Sequence, residues 1–389
     1  MEEWKDCILG DIAVAVKDRI DTSVLDRESY ISTENLLPDK AGVSVSSGVP
    51  SGNAIKFQVG DVLISNIRPY FKKIWRANCI GGCSADVICL RATDELESLF
   101  LYYLLSQNAF FDYVMLGAKG TKMPRGDRKQ ILQWPLSLPS MKEQRVISSL
   151  LKSLDDKIEV NRRINDNLQQ QAQALYKSWF IDFEPFKGDK FEDSELGMIP
   201  RGWSVKQLGE ITTQVNEKVK ERVDVKVLSP ITTGELVLSE EYFTKQVFSE
   251  SISKYIVVKP TYFAYNPARV NIGSLGMNEY GFDGCVSPVY FVFRCEDDYQ
   301  YFFDLFRRTE TFKEEVKARA IGGVRQSLTY KDFSLIKVVY PPIDVIHSFN
   351  QVYSRILAKT KHNNVETTRL ASIRDTLLPK LMSGELKIS

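Results

Sequence analysis

Positive charge in this 389-residue chain gathers in a few short stretches among aromatic or glycine-rich neighbours. Arg68-Pro-Tyr-Phe-Lys72-Lys73-Ile-Trp-Arg76 carries four bases and three rings with no acid. Lys119-Gly-Thr-Lys122-Met-Pro-Arg125-Gly-Asp-Arg128-Lys129 sets five bases against one acid on a segment punctuated by glycine and proline. Further along, Lys317, Arg319, Arg325 and Lys331 surround Gly322-Gly323, and Arg269 follows Asn266-Pro267. The chemistry such groups offer is contact with phosphate, which dominates affinity for nucleic acid, and readout of base edges. Arginine suits bidentate contact with guanine, lysine suits phosphate, and an amide such as Gln326 or Asn78 suits adenine. A basic run alone is also compatible with an ordinary solvated face.

Catalytic chemistry has little to work with. The two histidines, His347 and His362, both fall in a helical pattern near the end of the chain, so a Ser-His-Asp or Cys-His site lacks a plausible base. Asn266-Pro267-Ala268-Arg269 lacks the second proline and the aromatic of an amino-methyltransferase loop and reads as a turn. Gly117-Ala-Lys-Gly-Thr-Lys122 has the composition of a phosphate loop without its spacing. Glu315-x-Lys317 and Glu385-x-Lys387 have no Pro-Asp before them at the distance a nuclease fragment needs. Cysteines at 7, 79, 83, 89, 285 and 295 form no C-x-x-C pair. Cys79, Cys83 and Cys89 come nearest to metal-ligand spacing, and read as small buried hydrophobes. The expectation is a chain with no catalytic residue, no metal site and no cofactor of its own.

What positions the basic stretches is a duplication. Trp4-(x)4-Leu9-Gly10-Asp11-Ile12 answers Trp203-(x)4-Leu208-Gly209-Glu210-Ile211 at a shift of 199. Gly82-Cys83-(x)3-Val87 answers Gly284-Cys285-(x)3-Val289 at a shift of 202, and Pro139 and Pro341 lie 202 apart. Each copy contains strand-like runs (61–65, 86–90, 289–293 and 335–340) and an apolar helical stretch (99–115 and 301–316), so each half is mixed α and β. After each proline comes a long helical pattern. Its seam positions in the first copy are Ile147, Leu151, Leu154, Ile158, Asn161, Asn165, Leu168, Ala172, Leu175 and Trp179. In the second they are Phe349, Tyr353, Ile356, Thr360, Asn363, Thr367, Leu370, Arg374, Leu377 and Leu381, each its counterpart plus 202. Steps alternate four and three throughout, the heptad spacing of a left-handed coiled coil. Asn161 and Asn363 occupy the same seam position, where a buried amide paired with its like would fix register.

The predicted architecture is α+β: two mixed globular recognition domains joined by two long antiparallel helices that form a coiled coil, with a pseudo-two-fold repeat. Residues 1–139 form the first recognition domain, 140–184 the central helix, 185–202 a linker, 203–342 the second recognition domain and 343–389 the distal helix. A helix from 140 to 183 would be ~65 Å long at ~1.5 Å per residue, so paired helices would make a rod with a domain near each end. Composition fits two or three domains, with 43% hydrophobic residues and a formal net charge of +1. Affinity for nucleic acid must therefore come from local clustering. No signal-like start and no membrane-length apolar run are evident, which implies a cytoplasmic protein without membrane contact.

Three segments resemble the specificity subunits of Type I restriction-modification systems. They are Ser194-Glu-Leu-Gly-Met-Ile-Pro-Arg-Gly-Trp203, the run from Ala172 through Leu175-Tyr-Lys-Ser-Trp-Phe-Ile-Asp-Phe183, and the run from Leu370 through Arg374-Asp-Thr-Leu-Leu-Pro-Lys-Leu-Met-Ser-Gly-Glu-Leu386. The resemblance covers essentially the whole chain. It implies a non-catalytic subunit of a phage-defence system whose two target recognition domains each read half of a bipartite, asymmetric double-stranded DNA site. It further implies helices that dock two methyltransferase subunits, with restriction/translocase subunits joining. S-adenosylmethionine, ATP and Mg are then bound by those partners. Glu143-Gln144 matches the family's helix start, whereas the second copy has Pro342-Ile-Asp-Val345 there. A coiled-coil adaptor without DNA specificity and a stand-alone duplicated methyltransferase or nuclease remain the alternatives on sequence grounds.

Overall fold

Two helices of 40 residues each, Met141–Phe180 and Ile343–Met382, organise the chain. Both ends of one lie 202 positions from the ends of the other. In the computed structural model, residues 4–243, 245–320 and 327–388 are described. The central helix starts from a capping box: Glu143 N–H donates to Ser140 Oγ at 3.5 Å, and the Glu143 carboxylate accepts from Ser140 N–H at 3.2 Å. It ends at Phe180, and Phe183, with φ of 52°, turns the chain before Pro185. The distal helix tolerates Pro379 in its last turn and is closed by Gly384 at φ 74°.

The chain folds as two compact units. One comprises the residues up to Arg163 together with those from Asn363 onward; the other is Ile164–His362. Each unit therefore takes half of each long helix. In the first, Ile147 and Leu151 share a core with Leu378, Leu381 and Met382, Asp155 meets Arg374 at 2.7 Å, and Asn161 meets Glu366 at 2.8 Å. Rising numbers on one helix meet falling numbers on the other, so the pairing is antiparallel. In the second unit Trp179 and Phe180 pack edge-on against Phe349, with centroids 5.6 and 4.8 Å apart.

Every seam position is withdrawn from solvent. Ile147, Leu151, Ile158, Asn161, Phe349, Tyr353, Asn363 and Leu381 are buried, while Leu154, Leu168, Leu175, Ile356, Leu370 and Leu377 are half-buried. The register device differs from the expected amide pair. Asn161, 1% exposed, donates its side-chain N–H to the Glu366 carboxylate, which also meets Lys157 at 3.3 Å.

Each unit builds two four-stranded sheets. In the first unit the order Ala13–Ala15, Val87–Ala92, Val62–Ser65, Ile74–Arg76 is antiparallel throughout. In the second unit Thr212–Val215, Phe291–Cys295, Phe263–Tyr265, Leu275–Met277 repeat it. The companion sheets share a core of three strands: Gly81–Cys83 lies between antiparallel Asn53–Phe57 and parallel Tyr30–Ile31, as Gly284–Val286 lies between Ile256–Val258 and Lys226–Pro230. The fourth strand differs: Arg19–Asp21 in the first unit, the hairpin strand Leu236–Leu238 in the second. Close approach dictates glycine at the shared centre, where a Cβ on Gly82 would lie 2.6 Å from Leu25 and one on Gly284 2.3 Å from Leu228.

Three local features depart from the sequence pattern. The stretch 99–115 is two helices, Ser98–Leu105 and Asn108–Leu116, because Ser106 turns its hydroxyl onto the Tyr102 carbonyl and Gln107 becomes extended. Likewise 301–316 breaks at Thr309, which caps Glu310–Arg319 by accepting from Phe312 N–H. The strand placed at 289–293 runs from Phe291 to Cys295, since Ser287–Tyr290 is a turn containing Pro288. Within 185–202, Phe191–Glu192 pairs with Ile199–Pro200, and Ile199 joins the second unit's core.

Candidate nucleic-acid interface

In the first unit the two basic segments meet. Strand Val62–Ser65 runs out into Asn66-Ile67-Arg68, where Arg68 N–H donates to the Pro124 carbonyl at 2.8 Å and Ile67 bridges Arg125. Asn66 N–H donates to Asp86 C=O at 2.9 Å, and Gly126 N–H to Asn66 C=O at 3.2 Å. Lys119 and Arg125 exchange both backbone hydrogen bonds at 2.9 Å, closing their loop. Residue 126 must be glycine, because a Cβ there would sit 2.9 Å from Asn66 Oδ1 and from Val114. Sequence-distant bases are thus fixed to one rim by main-chain bonds.

The rim carries backbone strain. Arg68 and Lys72 have φ of 51° and 50°, the left-handed region that non-glycine residues rarely enter, and they flank the turn Pro69–Phe71. Such conformations persist where surroundings over-determine them and collect at functional sites. Here the restraint includes the Pro124 bond, Lys40 N–H donating to Lys72 C=O at 3.1 Å, and Lys72 Nζ donating to Asn108 Oδ1 at 3.0 Å. Between the strained residues, the rings of Tyr70 and Phe71 pair at 4.7 Å and stand 46% and 36% exposed.

The bases differ in their freedom. Lys73 donates to the Thr33 carbonyl at 2.7 Å, and burial pushes its pKa down. Arg76 is held on Ser98 Oγ, at 2.8 Å from Nη2, at the start of helix Ser98–Leu105. Arg125 faces Asp86 at 3.1 Å, Lys119 faces Asp127 at 3.4 Å, and Arg128 donates to the Ala85 carbonyl. Lys122 is exposed and makes no ion pair among the described residues. Asp127 caps helix Arg128–Leu132, and the N–H groups of Gln130 and Lys129, with the Lys119 ammonium, hold its carboxyl below the usual range. Ion pairs this exposed are worth about 0–1 kcal/mol. Exchanging Asp86 or Asp127 for a phosphate therefore costs little, and meanwhile the carboxylates keep the bases in place.

The second unit repeats the plan with fewer bases. Leu328 N–H donates to the Pro267 carbonyl at 3.1 Å, the counterpart of the bond from Gly126 to Asn66. Arg269 is exposed beside Tyr290, and Lys331 is exposed on helix Tyr330–Phe333. Arg319 is turned back onto its own helix, where it meets Glu315 at 2.9 Å and reaches the Leu335 carbonyl at 3.5 Å. Arg325, with Gln326 and Gly322-Gly323, lies outside the described residues. The pairing of Asp86 and Asp127 with the bases is not evident from the sequence; the N-cap spacing of Asp127 ahead of Lys129-Gln130 is the available signal.

Among the described residues no group of three or more His, Cys, Asp or Glu could hold a metal ion. Nor is any described helix long and apolar enough to cross a membrane.

Twice-built α+β halves, each seated on half of a heptad-patterned helix pair and each offering a basic rim, define a duplicated recognition protein. Residues 1–170 match the family described as Type I restriction modification DNA specificity domain. The Type I restriction enzyme HindI specificity subunit of Haemophilus influenzae is 25% identical over 99% of this chain and 100% of its own length. The MjaIX specificity subunit of Methanocaldococcus jannaschii is 26% identical over 76% of this chain and 70% of its own. Among solved structures, the Type I restriction-modification S subunit from M. genitalium matches at a TM-score of 0.57 and 15% identity, covering 99% of this chain and 97% of that one. Residues 1–170 thus carry the Type I restriction-modification specificity domain, and over nearly all of its length the chain is similar to specificity subunits of that class.

Proposed function

We propose that this chain is the non-catalytic DNA reader of a Type I restriction-modification enzyme. Its two recognition domains each take one half of a bipartite asymmetric site and direct methyltransferase and restriction subunits to it. The observation that carries this reading is the meeting of segments 66–72, 84–86 and 119–128 on one rim, with the same backbone tie recurring at Pro267 and Leu328. Arg68, Arg125 and Arg128 in the first domain, and Arg269 with Arg325 in the second, are the candidates for base edges. Lys72, Lys119, Lys122 and Lys331 are the candidates for phosphate. Lys73, Arg76 and Arg319 add to the local field from anchored positions.

The helices serve as spacer and as docking surface for two methyltransferase subunits. S-adenosylmethionine, ATP and Mg belong to the partner subunits, and the complex works in the cytoplasm. Half-sites about one duplex turn apart, ~34 to 36 Å, suit two domains reading one face of DNA. The test is reconstitution of the chain with its methyltransferase subunits, followed by single-molecule sequencing of methylated sites. One bipartite motif is expected, and whole heptads added to both helices lengthen its unread spacer while leaving each half unchanged. Methylation without a motif, or a spacer indifferent to helix length, refutes the reading.

A further inference from the structure

The second unit contains a cavity of about 490 Å³ where helix Glu310–Arg319 and the turns 232–234 and 270–273 face central-helix residues Gln169 and Gln173. Four of its lining residues are basic, Arg307, Arg308, Lys313 and Lys317, and none is acidic. Arg307 and Arg308 share one buried carboxylate, Asp304, at 2.5 and 3.2 Å, and Lys313 is matched by Glu310 at 2.6 Å. The Glu279 carboxylate also acts on both guanidiniums, while the Lys317 ammonium makes no ion pair among the described residues and adds positive charge beside the opening. Two lining donors, Gln173 Nε2 and Arg308 Nε, are buried without a hydrogen-bond partner. A buried donor left unsatisfied is costly and points to a missing acceptor.

The first unit has a carboxylate near the same junction, on the distal helix, where it is paired with Arg374. There the corresponding elements are the turns Pro38–Lys40 and Pro69–Phe71 and helix Asn108–Leu116, drawn together by Lys40 N–H on Lys72 C=O at 3.1 Å and Lys72 Nζ on Asn108 at 3.0 Å. Lys40 is pushed to lower pKa by burial, and the opposing influence is the carboxylate of Asp375 on the distal helix. The central-helix counterpart of Asp375, 202 positions earlier, is Gln173. One copy thus carries its own anion at this junction, and the other replaces it with a neutral donor facing an open, cation-lined space.

We propose that this cavity takes a phosphate ester from outside the chain, and that its source is a backbone phosphate of the duplex beside the second half-site. The turn Val270–Ile272 that helps line it follows Arg269 directly, so the cavity continues the proposed reading rim of that unit. The assignment rests on the DNA-reading function proposed above.

The test uses the full chain reconstituted with its methyltransferase subunits and cognate duplexes in which single phosphates are replaced by neutral methylphosphonates. For the unaltered protein, one position flanking the second half-site weakens binding when neutralised. Gln173→Glu, which installs the first unit's carboxylate, makes that position silent and flattens the salt dependence by about one phosphate contact. Between 50 and 200 mM salt that amounts to about a 3.5-fold smaller loss of affinity. Lys317→Gln shifts both readouts the same way. A melting temperature no lower than the parent's shows that Gln173→Glu has not simply unfolded the unit. An unchanged slope and methylphosphonate profile in both variants overturns the assignment while leaving site discrimination intact, whereas loss of discrimination in the unaltered complex strikes at the DNA-reading function itself. A flat methylphosphonate series, together with phosphate or nucleotide binding to the DNA-free complex that Gln173→Glu abolishes, makes a free phosphate ester the source and overturns the duplex assignment.

Discussion

Replacing Asp304 by asparagine exposes the energetics of the second unit most directly. Its carboxylate is 4% exposed and serves two arginines on the same helical segment, Arg307, 5% exposed, and Arg308, 24% exposed. Burial alone raises its pKa, but the two guanidiniums outweigh burial and hold it below the usual carboxylate range. Asp304→Asn strands the Arg307 charge, whose remaining acceptor is the Leu275 carbonyl at 2.9 Å. Breaking a buried pair from one side costs about 3–5 kcal/mol. Hydrogen exchange by mass spectrometry over residues 300–319 should accordingly speed up by about two to four orders of magnitude, with residues 98–116 of the first unit unaffected. The counterparts of Asp304, Arg307 and Arg308 are Tyr102, Leu105 and Ser106. The triple substitution Asp304→Tyr, Arg307→Leu, Arg308→Ser copies that solution and should restore most of the protection, since an ion pair replaced whole by packed residues is often neutral. Because the folded pKa is depressed, the pair's contribution is present above the unfolded value near 3.8 and disappears as pH falls through the lower folded value. Protection in Asp304→Asn within tenfold of the parent, or a triple variant worse than the single one, refutes the reasoning.

Other outcomes follow from the same contacts. Lys122→Ala should weaken binding to cognate and scrambled duplexes alike and reduce the salt slope by about 1, while Arg269→Ala should relax preference at one base pair of the second half-site; parallel behaviour in a competition assay refutes the division of roles. Leu151→Ala, at a fully buried seam position, should cost about 2–5 kcal/mol in urea unfolding of the first unit. Asn161→Leu removes the bond to Glu366 and should raise the melting temperature while admitting other helix pairings, visible as extra oligomers in light scattering; a monodisperse, less stable variant would count against a register role.

Much of this was legible because periodicity survives in a single sequence. The four-three alternation from Ile147 to Trp179, repeated at plus 202, marks a packed helix face without any knowledge of the partner. Composition hides what depends on short caps: the apolar run through Tyr102, Tyr103 and Leu104 reads as one helix until Ser106 folds its hydroxyl back onto it. Asn161 could be placed at the seam, but its acceptor is Glu366, which lies off the heptad seam. The meeting of Asn66, Asp86, Pro124 and Gly126 rests on tertiary main-chain bonds to which no local pattern points. Polar contacts that break the repeat are equally hidden. Asp155 accepts from both Tyr103 and Arg374 at 2.7 Å, whereas the corresponding positions Leu357, Leu305 and Ala172 are apolar.

Assigning residues 363 onward to the unit that also contains the first 163 orders events at the ribosome. The later-encoded half, Ile164–His362, is contiguous and has all of its own segments as soon as it emerges. The earlier-encoded half must wait for more than two hundred further residues before its helix finds a mate, roughly 10 to 45 s at typical elongation rates of about 5–20 residues per second. Throughout that interval Ile147, Leu151 and Ile158 present a bare apolar stripe, so the first-made reader is the last to mature and the one most in need of a chaperone.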